Sequence, residues 1–247
     1  MAKKKSTPQK KLKLGLFGSS GKMGSAIRQI IKNYSQIECF AEICSHPTGA
    51  FLQSHRSVYE MDAKDLKQID VWIDFSQPEA LRDLLEVVEE FKTPLVSGTT
   101  GFSSHEQNLL KNAAKKTSIF WASNMSIGLW TVRQALKSFS HISYFDFALD
   151  EIHHTQKKDN PSGTAVTLHR DLENAVGKKI KPAIGHRLGG VYGVHTITAA
   201  SQSEMIKLEH NALNRTVFAE GALKAALWVV NQKSGLYSMD DLMGENK

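Results

Sequence analysis

The sequence predicts an α/β protein: a doubly wound parallel sheet joined to a smaller α+β domain with an open, mixed sheet. Three observations support this. Short, continuously apolar strands alternate with amphipathic helices from Leu12 to Ala122, the pattern of a parallel sheet covered on both faces. A glycine-spaced turn follows the first of these strands. After Asn124 the apolar spacing changes to period two, as in a half-buried sheet.

The elements follow in order. Leu12–Phe17 is an apolar run ending at a glycine, and Met23–Tyr34 has helical spacing through Met23, Ile27, Ile30, Ile31 and Tyr34. Ile37–Ile43 reads as the second strand and Val71–Phe75 as the third. A helix opens at Pro78, where the missing N–H costs nothing, and runs to Phe91. Pro94–Ser97 is a strand, followed by a helix to Lys116 and the strand Ile119–Ala122. Right-handed crossovers then give a doubly wound sheet. Beyond Asn124, Tyr144–Ile152 alternates Phe145, Phe147 and Leu149 with Asp146 and Asp150. His195–Ala200 and Glu204–Asn211 form a hairpin through Ser201–Ser203, and Phe218–Val230 is an apolar helix that could return to the first domain. The expected division is a disordered basic tail over 1–13, a dinucleotide-binding domain over 14–124 and 217–247, and a substrate-binding and oligomerisation domain over 125–216.

Composition narrows the function classes. Of 247 residues, 41% are hydrophobic and 23% are charged, which suits two small cores. No apolar run is long enough to span a bilayer, and no apolar leader is visible. A cytoplasmic protein with no membrane partner is expected. The two cysteines, Cys39 and Cys44, are an odd number of residues apart on one strand, so they point to opposite faces and are not expected to pair. The net charge of +6 suggests nucleic acid only until it is mapped. Lys3, Lys4, Lys5, Lys10, Lys11 and Lys13 account for six of the 31 basic residues, and the remaining 25 equal the 25 acidic ones. A neutral body carries no electrostatic footprint for nucleic acid, and the lysines read as a solvated extension.

The turn Gly18-Ser19-Ser20-Gly21-Lys22-Met23-Gly24 joins a strand to a helix start. Glycines there let the chain turn tightly and bring a pyrophosphate onto the free N–H groups of the helix. The usual dinucleotide fingerprint would have glycine at Ser20 rather than Gly21, so an ordinary strand-to-helix turn is the alternative. The acid expected to hold the ribose at the end of the second strand is absent at Cys44. Glu42 lies two residues early. Lys22, Ser45 and His46 could attract a 2′-phosphate, so the cofactor is NADPH or NADH. Ser97–Gly101 and Ala122–Ser126 follow other strands of the first domain and could line the same ligand.

The most informative stretch is Glu151-Ile152-His153-His154-Thr155-Gln156-Lys157-Lys158-Asp159-Asn160-Pro161-Ser162-Gly163-Thr164-Ala165. Ser162 is a good N-cap. The N–H groups of Gly163 and Thr164 are then expected to be unpaired, forming a carboxylate site at a helix start. Two histidines and two lysines stand just upstream. Histidine gives or takes a proton near neutrality, and lysine donates a proton or neutralises a carboxylate. Adjacent residues of a strand face opposite ways, so His153 and His154 have different jobs, and Glu151 shares the face of His153 and could orient it. The competing reading is a surface loop with chance histidines. A metal on His153, His154 and Asp159 matches no common ligand spacing.

Together these segments resemble the 4-hydroxy-tetrahydrodipicolinate (dihydrodipicolinate) reductase family. The family pattern Glu-x-His-His-x-x-Lys-x-Asp-x-Pro-Ser-Gly-Thr-Ala is matched from Glu151 to Ala165. Its glycine turn is similar to Gly18–Gly24, its Gly-Thr-Thr-Gly-Phe to Gly98–Phe102, its Asn-x-Ser-x-Gly to Asn124–Gly128, and its closing helix and tail to Phe218–Trp228 and Ser234–Tyr237. The resemblance implies a Rossmann domain built from both chain ends, NADPH or NADH as cofactor and a small dicarboxylate substrate. It implies His153 and Lys157 as catalytic residues, and His154, Ser162, Gly163 and Thr164 as substrate contacts. It further implies cofactor contacts from Gly18, Ser19, Ser20, Gly21, Lys22 and Met23, from Gly98, Thr99 and Thr100, and from Ala122, Ser123, Asn124 and Met125. A homotetramer joined through the substrate domain is also implied. The chain departs from the family in shorter segments over 45–71 and 177–195, in Asn160 where alanine is usual, and in the missing acid near Cys44. Another two-domain nicotinamide dehydrogenase of amino-acid metabolism would not need the His-His-Lys and Ser-Gly-Thr unit. A nucleotide-sensing regulator would leave that unit without a job.

Overall fold

The computed structural model describes residues 10–44, 54–55 and 57–245. The chain divides into two compact units, with the crossings at Ala122/Ser123 and Phe218/Ala219. Ser123 and Asn124 therefore go with the second unit.

The first unit is built from β1 (Leu12–Phe17), α1 (Lys22–Ile31), β2 (Ile37–Ile43), β3 (Ser54–His55), α2 (Ala63–Leu66), β4 (Val71–Asp74), α3 (Pro78–Phe91), β5 (Leu95–Ser97), α4 (Ser104–Ala113) and β6 (Ser118–Trp121). With β11 (Gly235–Tyr237) from the end of the chain, its seven-stranded sheet has the order β11-β6-β5-β4-β1-β2-β3, and each pairing is parallel. The order reverses at β1, between β2 and β4, which is the switch point where such sheets bind ligands beyond the strand ends. β1 starts at Leu12, so Leu12 and Lys13 belong to the sheet and not to the basic tail. The Lys13 N–H donates to Asp70 at 2.8 Å. The rest of the tail, 1–9, lies outside the described residues, as do Ser45 and His46.

Local sequence accounts for the helices. α3 begins with Pro78 in its first turn and buries Leu81, Leu84, Leu85, Val87 and Val88, a stripe at helical spacing. Leu84 is fully buried, and cutting it to alanine would cost about 2–5 kcal/mol. α4 starts from a capping box of Ser103 and Glu106. Trp72, Leu84, Leu95 and Ile119 fall in one apolar cluster of this unit.

The second unit holds α5 (Ile127–Leu136), β7 (Asp146–His153), α6 (Gly163–Val176), β8 (Ile184–Arg187), β9 (Gly193–Ala200) and β10 (Met205–Ala212). Its four-stranded sheet has the order β10-β9-β7-β8. β7 and β10 run antiparallel to β9, and β8 runs parallel to β7. One face of the sheet is apolar, with Phe147 and Leu149 from β7 and Ile197 and Ala199 from β9 clustered with Leu168 and Leu172 of α6. The chain re-enters the first unit within α7 (Thr216–Val229), then forms β11 (Gly235–Tyr237) and α8 (Met239–Met243).

Three strands and three helices were not visible in the sequence: β3, β8, β11, α2, α5 and α8. The strands are short and each is hydrogen-bonded on one side only, so none needs a full apolar run; α2 and α8 are helices of four and five residues. α5 follows Ser126, whose hydroxyl accepts from the Leu129 N–H.

Candidate active site

In the first unit the glycine turn lies where the sheet order reverses. Gly18 has φ +81°, and a β-carbon there would sit 2.5 Å from the Phe75 carbonyl oxygen, beyond β4. A β-carbon on Gly24 would sit 2.4 Å from the Ser19 carbonyl oxygen. Glycine at both positions lets the turn lie directly on the helix and on the neighbouring strand end. The N–H groups of Gly18 and Ser19 are both taken by the Ile43 carbonyl, at 2.9 and 3.0 Å. The N-terminus of α1 differs, because Gly21 is its N-cap and gives no side-chain cap. The first helix N–H groups, before Ser25 bonds back to the Gly21 carbonyl, are therefore left as donors that an anion could use. Ser20, Gly21 and Lys22 are exposed and Met23 is partly so, whereas Ser19 is buried. Ser19 is fully buried, with its N–H on Ile43 and its carbonyl accepting from the Arg28 guanidinium at 2.6 Å, so it presents no group at the surface, contrary to expectation.

Beside the turn is a cavity of about 430 Å³, lined among others by Gly18, Ser20, Gly21, Cys44, Ser76 and Glu79. Its size suits part of a dinucleotide, and with the open α1 terminus it fits such a ligand. Glu42 is not among the lining residues. It is buried, lies 3.5 Å from the Arg28 guanidinium, and accepts a long contact from the Cys39 thiol. Burial and the Glu42 charge push that thiol up to about 12. Cys44, one residue past β2, does line the cavity, so the acid usual at this strand end is absent and Glu79 is the acid present instead. Cys44 is buried, and neither cysteine forms a disulfide.

Of the loop after β5, Gly98 is half-buried, Thr100 is exposed and Thr99 is buried. The Thr99 hydroxyl turns inward and donates to Asp74 at 2.8 Å. Ala122 and Met125 are buried, so their side chains are not available as surface contacts, and Ser123 is exposed. Asn124 joins the second unit's constellation, where its side-chain amide donates to the Thr164 hydroxyl at 3.1 Å and its carbonyl accepts from the Ser126 N–H at 2.9 Å.

In the second unit, alternation on the strands places Glu151 and His153 on the same inward face of β7. Glu151 stands opposite His195 of β9, and His195 opposite His210 of β10, so three polar side chains run across the end of an apolar face. Glu151 is fully buried, and His153, His195 and Ser162 are nearly so. One Glu151 oxygen accepts from the Ser162 N–H at 2.9 Å and lies 3.3 Å from the Arg187 guanidinium. The other lies 3.3 Å from His153 Nδ1 and 3.5 Å from His195 Nε2. Burial alone would raise the Glu151 carboxyl, but the Ser162 hydrogen bonds and the two histidines outweigh it and hold it below its ordinary value. Burial lowers His153, opposed by Glu151. Burial lowers His195 to about 4, helped by His153. Both rings are therefore neutral at pH 7, with Glu151 ionised.

Ser162 caps α6 through its hydroxyl, which accepts from the Ala165 N–H at 3.1 Å. The helix start is not fully open, contrary to the expectation for Gly163. The Gly163 N–H faces the Asp159 carboxylate and, with Lys157, lowers it against the effect of burial. Lys157 Nζ lies 2.9 Å from the same carboxylate. An internal acid thus occupies part of the anion site, because the loop folds back on the helix it precedes. His154 is half-buried and lies one residue past β7.

Two residues that sequence reasoning missed complete the group. Arg187 ends β8 and binds Glu151, the Lys157 carbonyl at 3.3 Å and the Asp159 carbonyl. Only β7–β8 pairing brings it there. His195 carried a signal in the period-two pattern, since it shares the phase of Ile197 and Ala199 on an inward face. The nearest metal-like group among the described residues is Glu151, His153 and His195, not His153, His154 and Asp159. With the Arg187 cation on the same carboxylate, this trio is built to share protons.

The chain matches the family model described as "Dihydrodipicolinate reductase, N-terminus" over 12–125 and "Dihydrodipicolinate reductase, C-terminus" over 126–243. It is 48% identical over 239 residues to the 4-hydroxy-tetrahydrodipicolinate reductase of Bdellovibrio bacteriovorus, covering 96% of this chain and 99% of that one. It is 38% identical to the enzyme of the same name from a Nitratiruptor species, covering 94% and 99%. Its fold is similar to that of a dipicolinate-bound dihydrodipicolinate reductase from Paenisporosarcina sp. TG-14, with a TM-score of 0.72 at 21% identity, covering 94% of this chain and 98% of that one.

Proposed function

The chain belongs to the dihydrodipicolinate reductase family, and on that premise we propose that it reduces 4-hydroxy-tetrahydrodipicolinate to tetrahydrodipicolinate with NADPH or NADH, in diaminopimelate and lysine synthesis. The first unit binds the cofactor at the glycine turn and the α1 terminus, with Gly98–Thr100 beside it. The second unit binds the dicarboxylate through Ser162, Gly163, Thr164 and His154. The reduced nicotinamide, when bound, supplies the hydride.

The strongest support is the buried Glu151 carboxylate, which ties His153 and the Ser162 cap of α6 into one rigid group. Loss of the substrate's hydroxyl as water leaves a conjugated imine. Hydride addition to that system gives an enamine, which needs a proton to complete the reduction. With Nδ1 facing Glu151, Nε2 is the atom at which His153 takes up a proton and passes it on. Lys157, released from Asp159, neutralises a substrate carboxylate or supplies a proton beside it. Positioning and acid–base chemistry are the protein's share.

The outward face of the second sheet, with Thr196 bonded to Glu209 at 2.9 Å and Met205 exposed, is the surface we assign to a homotetramer. Two cysteines that form no disulfide fit a cytoplasmic site. Among the described residues no helix is long and apolar enough to cross a membrane.

The test is turnover of freshly made substrate by the purified full-length chain with each cofactor. No oxidation of either cofactor would overturn the reading. His153→Gln should cut kcat by roughly 10²–10⁴-fold, and a loss under about threefold would remove His153 from the chemistry. Light scattering that gives a monomer would overturn the tetramer.

A further inference from the structure

Asp74 is the last residue of β4 and is fully buried. One of its oxygens accepts from the Ser76 N–H at 2.9 Å and the Ser76 hydroxyl at 2.6 Å. The other accepts from the Ser97 hydroxyl at 2.7 Å and the Thr99 hydroxyl at 2.8 Å. Burial pushes its carboxyl above the ordinary carboxylate range, and these hydrogen bonds oppose that push; among the described residues no cation pairs with it. Four donors and no cation make an unusual setting for a buried carboxylate, which is stable only when well bonded.

The donors come from the two loops that leave β4 and β5 at the carboxyl edge of the sheet. The backbone repeats the link, since the Gly98 N–H donates to the Asp74 carbonyl at 2.9 Å. Thr99 is held further by its N–H on the Ser97 hydroxyl at 3.3 Å and by the Trp121 indole N–H on its carbonyl at 3.0 Å. Ser76 and Gln77 line the cavity beside the glycine turn. A neutral side chain could join two loops. Ionised, Asp74 accepts from the Ser97 and Thr99 hydroxyls at one oxygen and from Ser76 at the other and turns no donor of its own toward them, which fixes their rotors and the loop that carries Thr99.

We propose that Asp74 is a positioning residue for the nicotinamide cofactor, setting the 75–77 and 98–100 loops in their binding geometry before the cofactor arrives. Preorganised loops bind without an ordering cost. The proposal rests on the reading that the dinucleotide lies along this edge of the sheet.

The test measures dissociation constants of NADPH and NADH for the full-length chain by fluorescence, without substrate, alongside steady-state kinetics and melting temperature. Asp74→Asn keeps the shape and can still accept from the Ser76 N–H, but turns an N–H toward Ser97 and Thr99. It should raise both dissociation constants roughly 10-fold or more. The cofactor KM should rise in step, with a smaller change in kcat. Thr99→Val removes one donor and should raise them in the same direction. The double variant should bind no worse than Asp74→Asn alone, because both act through one contact. A lower melting temperature with unchanged dissociation constants would overturn the proposal, since a merely structural role has that signature. If Asp74→Asn does not fold, unchanged binding in Thr99→Val overturns it instead. A wild-type chain that binds neither nucleotide would overturn the cofactor reading itself, a result distinct from wild-type binding that the variants leave untouched.

Discussion

Replacing Glu151 with glutamine tests the electrostatic core of the proposed mechanism. The carboxylate lies 3.3 Å from His153 Nδ1 and favours the protonated ring, against the burial that lowers it. An opposite charge at this range favours the protonated ring, and Arg187, which shares the carboxylate at 3.3 Å, weakens that pull. The sign follows directly. Without Glu151 the His153 pKa falls further, and at any pH above it the protonated fraction drops about tenfold per unit. The glutamine also offers an N–H where the carboxylate offered an oxygen, so the neutral ring takes the other tautomer. Stopped-flow or steady-state kcat from pH 5.5 to 8.5 reads both effects. The expected result is a loss of about tenfold or more at pH 7.5 that narrows as pH falls. A loss of equal size at every pH would refute the electrostatic role. Melting curves recorded in parallel separate it from unfolding, since the Ser162 N–H and Arg187 can still bond the glutamine oxygen.

Three further outcomes are expected. The ratio of kcat/KM for NADPH to that for NADH should be one or more, because Cys44 stands where a repelling acid is usual and Glu42 is engaged by Arg28; a more than tenfold NADH preference would contradict this, and Glu79→Gln would then show whether that acid is responsible. Acid should destabilise the second unit between pH 6.5 and about 4, because His195 is held at about 4 in the fold and takes up its proton on unfolding near the ordinary value. Over that window the single group is worth about 3 kcal/mol, and His195→Gln should flatten the fall of melting temperature from pH 7 to 4.5; an unchanged slope would exclude His195 as its cause. Deleting residues 1–10 should leave activity and melting temperature nearly unchanged, since those residues stop short of β1, which starts at Leu12.

Much of the molecule was determined by the sequence alone. β1 and β2 and helix α3 have the residue limits read from apolar spacing and from Pro78, because buried parallel strands and amphipathic helices write their burial into local composition. Ser162 was legible as a cap, since capping needs only one hydroxyl and the N–H three residues on. Glu151 and His153 were placed on one face by strand alternation.

Tertiary structure decided the rest. Arg187 reaches Glu151 because β8 pairs with β7, a contact 36 residues apart that no local pattern encodes. His195 meets Glu151 through antiparallel register, and Asp74 finds Ser97 and Thr99 only when β4 and β5 lie side by side. Even the open helix start proved partly closed, by Asp159 folding back on Gly163. The physical reason is the same in each case. Backbone conformation and burial are set by neighbours in sequence, whereas the state of a buried charge depends on which distant groups replace the water it has lost.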